Sequence, residues 1–98
     1  MNSLIRRAIA EKRLLEFSYN GYHRVVEPHV YGIKNQKHQL LSYQVGGESS
    51  RPEEIPHWRR FDVDEMLGLN ALDEHFFGQR EHSPFRESDF DIVLASVP

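Results

Sequence analysis

The chain has 98 residues, 39% of them hydrophobic and 28% charged, with a net charge of −3 and no cysteine. That length suits one domain, 1–98, with one modest core. There is no apolar run long enough for a membrane span, no thiol for a disulfide, thiolate metal site or nucleophile, and no strongly basic nucleic-acid footprint. Charge is uneven: residues 1–48 carry seven Lys/Arg against four Asp/Glu, and residues 49–98 carry five against eleven. The halves either attract each other, within the fold or across a dimer, or leave the first half a local basic face. The start, MNSLIRRAIAEKR, lacks the continuous apolar stretch of a signal peptide. A cytoplasmic protein is therefore expected.

The first segment reads as a helix. Asn2 or Ser3 is suited to cap it, and Leu4, Ile5, Ala8 and Ile9 recur at helical spacing. The period then becomes two. Leu15, Phe17 and Tyr19 alternate with Glu16 and Ser18, which predicts a half-buried strand. Asn20-Gly21 accepts the positive φ angles of a tight hairpin, so residues 22–28 are expected to return antiparallel. A further strand is predicted over 29–33, with Gly32 a bulge or bend. Residues 34–37 form a polar turn, 38–45 a strand, and GGESSRPEEIP at 46–56 a loop that includes the solvated pair Glu53-Glu54. Strands follow over 58–63 and 66–72, then an irregular stretch over 73–88, then a last strand over 89–97. The expected class is α+β, mostly β: an N-terminal helix followed by a small, strongly bent antiparallel sheet or barrel.

Strand parity singles out two arginines. Hairpins with two-residue and four-residue loops both put Arg24 on the face of Leu15, Phe17 and Tyr19. Arg59 alternates in the same way with Phe61 and Val63. Burying a guanidinium without partners costs several kcal/mol. Each arginine must therefore reach water, pair with a carboxylate such as Glu27, Glu16 or Asp62, or line a polar cavity that takes an anion.

The order of residues resembles the WYL domain, a small Sm-like β-barrel of bacterial regulators. The resemblance runs through AIAEKRLLEFSY at 8–19, RVVEPHVYG at 24–32, LLSYQ at 40–44 and WRRF at 58–61, and ends near Leu72. It implies a barrel core over about 1–72, with a C-terminal loop and strand over 73–98. It also implies a stand-alone regulatory module that senses a small anionic, nucleotide-like or nucleic-acid-type ligand. By position Arg24 and Arg59 match the family's strand arginines, and Leu40 matches the leucine of the naming triplet. That triplet here reads His38-Gln39-Leu40, without tryptophan or tyrosine, and Asp64 is followed by Glu65 where the family has a basic residue. The helix-turn-helix usual upstream of the domain is not in this sequence, so a transcription factor is not expected on this evidence.

The remaining constellations are weaker. The six histidines show no i, i+4 pair, and no strand-to-helix elbow presents a serine. No catalytic residue, metal or cofactor is therefore expected, and the chain reads as a binding protein rather than an enzyme. Tyr43, Gln44, Trp58 and Tyr31 suggest an aromatic wall or ordinary packing. The expected ligand-binding set is Arg24, His29, Tyr43, Gln44, Trp58 and Arg59. The alternative is a protein-protein interaction module, homodimeric through DFDIVLASV if that strand forms a sheet edge.

Overall fold

A computed structural model describes residues 2–51 and 54–98. Pro52 and Glu53, part of the expected loop, lie outside the described residues. Asn2 caps α1 (Ser3–Glu11), its side-chain oxygen accepting from the Ile5 N–H at 3.2 Å. Nine residues are too few for a stable isolated helix. The helix is held instead by burial of Ile5, Ala8 and Ile9 against the sheet. Lys12, in the left-handed region at φ 57°, ends the helix and turns the chain directly into β1 (Arg13–Tyr19).

The Asn20-Gly21 hairpin has a two-residue loop, with φ 53° and 81°, and pairs Tyr19 with Tyr22 and Phe17 with Arg24. β2 (Tyr22–Lys34) is a single long strand where the sequence suggested two. The join lies at Pro28, which has no N–H to give a ladder. There the register with β3 (Lys37–Gly47) slips, and His29 is the extra residue of the bulge. A second two-residue turn, Asn35-Gln36, links β2 to β3 with φ 51° and 67°.

β3 pairs with β4 (His57–Asp62). A 3₁₀ turn over Val63–Glu65 then leads away from β4 to β5 (Leu67–His75), which lies along the far edge of β1. β6 (Ile92–Ser96) pairs with the second half of β2, on the edge whose first half is taken by β1. The path is β4-β3-β2-β1-β5, with β6 beside β2. Among the described residues no pairing joins β4 to β5. The sheet is thus antiparallel and unclosed where the sequence led to a barrel. No described helix is long and apolar enough to cross a membrane.

The sheet is covered on both sides. On the helix side Ile5, Ile9, Leu15, Phe17, Val26, Leu40 and Phe61 form the main core. On the far side Val30, Leu41 and Phe90 form a second cluster, with Trp58 and Phe85 packed against it. The irregular segment 76–91 supplies this second cover. It explains why residues 26–32 of β2 are buried without alternation.

Candidate functional site

The six residues expected to bind a ligand do not form one site. Register places Arg24, Gln44 and Arg59 on the helix side, in phase with Phe17, Leu40 and Phe61. Tyr43 and Trp58, a directly paired couple, lie on the opposite side with Leu41. His29 joins this second group, since the bulge lets its ring pack 4.7 Å from that of Trp58. The sheet separates the two trios.

On the helix side, parity held: Arg24 is only 2% exposed. Its Nη2 donates to the Tyr19 carbonyl at 3.1 Å and its Nη1 to Gln44 Oε1 at 3.4 Å. Its Nε has no hydrogen-bond partner among the described residues. The rings of Tyr22, Phe61 and Tyr19 lie 5.4, 5.8 and 5.9 Å from the guanidinium carbon. Arg59, half-buried on β4, stands 5.8 Å from the same Phe61 ring. Burial, and next the charge of neighbouring Arg59, push the pKa of Arg24 down.

Neither arginine has a carboxylate partner among the described residues. The three acids that sequence reasoning offered are engaged elsewhere. Glu16 accepts from Asn70 and contacts His23, Asp62 accepts from Gln39, and Glu27 is forked by Arg80. Gln44 is held in place by donating to the Gly46 and Glu48 carbonyls, which fixes its oxygen toward Arg24. Ser42, 0% exposed and directly across from Arg59, leaves its Oγ without a partner. Two close cations and two unpartnered polar atoms thus share one side of the sheet. Such a set is electrostatically unbalanced.

On the far side, His29 is 2% exposed, stacked on Phe76 at 5.4 Å and edge-on to Trp58. Its Nδ1 lies 2.9 Å from the Glu27 carbonyl, so Nδ1 carries the proton and donates it. Nε2 has no partner of good geometry, although the Gly78 carbonyl lies near the ring. Burial lowers the His29 pKa, partly opposed by the Glu27 carbonyl. Arg80, which sequence reasoning missed, forks Glu27 at 2.6 and 2.9 Å and lies 4.2 Å over the Tyr43 ring. The hydrogen bonds to Glu27 raise its pKa. Nothing in the local sequence announces Arg80. It sits in a stretch without periodicity, 53 residues from its partner.

Among the described residues no three His, Asp or Glu side chains are grouped as a metal site. Searched against protein families, characterised proteins and solved structures, the chain matches none.

Proposed function

We propose that the chain is a regulatory binding module for a small anionic or nucleotide-like ligand, with Arg24 and Arg59 as its anion anchor. One observation carries this reading: two neighbouring guanidinium groups lack a carboxylate partner among the described residues, although the chain has an excess of acids. An unpaired buried cation is costly for folding alone. A phosphate or carboxylate beside Arg59 offsets the repulsion between the pair, and each charge-assisted hydrogen bond contributes roughly 1.5–3 kcal/mol. Arg59 is the accessible member, and Arg24, under Tyr22, acts on the ligand through the field it adds. The resemblance to WYL domains supports the same reading, and with it a more closed, Sm-like form of the sheet. The test is thermal stability and calorimetric binding with pyrophosphate, a nucleoside monophosphate and a short DNA single strand. Wild type is expected to bind at least one of these and to gain stability. Arg59→Ala is expected to lose both responses. Equal binding by wild type and Arg59→Ala removes the pair from the site.

A second reading, a homodimer through the C-terminal strand, is favoured by exposed Ile92 and Val93 on β6. Against it, Arg6 already donates to the Leu94 carbonyl at 3.3 Å and spends one backbone acceptor of that strand. Solution mass over a wide concentration range decides it. A monomer throughout rules the dimer out.

A further inference from the structure

A cleft of about 950 Å³ lies on the far side of the sheet, away from the arginine pair. Cavities of roughly this size hold a drug-sized molecule. Tyr43 and Trp58 form one wall, their centroids 5.2 Å apart at 66°. The segment after β5 forms the other and brings Phe77, Arg80 and Glu81 to the opening.

The guanidinium of this cleft is already paired, and its other basic groups are imidazoles, among them His75 and His82. Arg80 is its arginine, and both carboxylate oxygens of Glu27 neutralise it. Among the described residues the one further carboxylate of the lining is Glu81, with the His82 ring 4.0 Å away. An entering anion therefore finds no uncompensated guanidinium and faces a negative group. What the cleft offers instead is ring surface and ring hydrogen bonds. The Arg80 side chain stays 44% exposed although it rests on Tyr43, which leaves guanidinium surface open to stacking. Phe77 at the rim is fully exposed, at 106%. A whole phenyl ring in water beside a cleft of aromatic side chains has nothing to gain there except by closing on something apolar.

We propose that this cleft is a second binding site, for an uncharged planar heteroaromatic group that lies against Trp58 and Arg80 and is covered by Phe77. It is independent of the anion anchor, because the two lie on opposite sides of the sheet.

Trp58 is the chain's single tryptophan, so its indole N–H resonance reports on the site without ambiguity. The experiment titrates ¹⁵N-labelled protein with indole and with quinoline. Indole-3-acetate is the charged counterpart and inorganic phosphate the anion control. A saturable shift of the Trp58 signal is expected with an uncharged ring, with weaker binding of indole-3-acetate and no response to phosphate. Phe77→Ala cannot disturb the core, since that ring touches water throughout. It is expected to bind about fivefold more weakly, the equivalent of ~1 kcal/mol for one aromatic contact. Arg59→Ala is expected to bind as wild type does. Absence of saturation with both rings overturns the proposal, as does indole-3-acetate binding as tightly as indole, or equal affinity in Phe77→Ala.

Discussion

Arg24 is enclosed by three rings, a backbone carbonyl and an amide oxygen, with a second guanidinium as its charged neighbour. Its hydrogen bonds return roughly 1–3 kcal/mol each, less than removing the cation from water costs. Replacing it by an apolar chain of similar length removes the desolvation and the repulsion from Arg59. It leaves the Tyr19 carbonyl and Gln44 Oε1 to find other donors. The first effect is the larger. Arg24→Met is therefore expected to raise stability by about 1–2 kcal/mol in urea denaturation while weakening the response to pyrophosphate. A loss of stability instead shows that the cation serves the fold. Arg80→Gln is the opposite case. It strands the Glu27 carboxylate, itself 7% exposed, and the same measurement should show a loss of about 1–3 kcal/mol. The cost is limited because Arg80 is half in water.

At the scale of elements, the β2–β6 contact depends on a residue with no side chain. A Cβ on Gly32 would stand 2.5 Å from the Ile92 carbonyl oxygen and 2.6 Å from the Phe90 ring. Backbone and a buried ring cannot both withdraw, so Gly32→Ala must push β6 off the edge of β2. An expected loss of about 1–3 kcal/mol, typical of overpacking, is read from the denaturation midpoint. Rapid amide exchange over 92–96 would place the damage at that strand. The sequence marked Gly32 as irregular, its helical spacing delivered α1, its Asn20-Gly21 dipeptide the hairpin, and its alternation the inward parity of Arg24 and Arg59. Those features are local, set by period, cap and turn chemistry. What escaped was set by distant segments. Residues 26–32 are buried on both sides, so alternation vanishes and one strand reads as two. Alternation alone already parts Tyr43 from Gln44 and Trp58 from Arg59, and only the side taken by His29 turns on the bulge at that residue. Arg80, Phe76 and Phe77 lie in an irregular stretch, and only the folded chain brings them to Glu27, Tyr43 and Trp58.

For the molecule as a whole, the latch between the 76–80 segment and the sheet makes stability depend on pH. His29 sits where three parts of the chain meet. Its carbonyl accepts from the Val97 N–H, its ring stacks on Phe76, and the Glu27–Arg80 pair closes beside it. The groups facing the ring are the Glu27 and Gly78 carbonyls, the Glu27 carboxylate, Arg80, Trp58 and Phe76. Burial holds its folded pKa below the ordinary 6.5, so the unfolded chain binds the proton first as pH falls. The contribution is complete above about 6.5 and is lost as pH drops toward the folded value, with a slope of at most ~1.4 kcal/mol per pH unit for one proton. Glu16 and Asp89, lowered by their hydrogen bonds from 4.5 and 3.8, add their losses only at more acid pH. The two windows are therefore separable. Urea midpoints measured from pH 7.5 downward are expected to fall between pH 6.5 and 5 in wild type. In His29→Gln they start lower, because the ring stack is gone, yet stay level over that range. A wild-type midpoint that is flat until the carboxylates titrate refutes the buried, neutral imidazole and with it the latch.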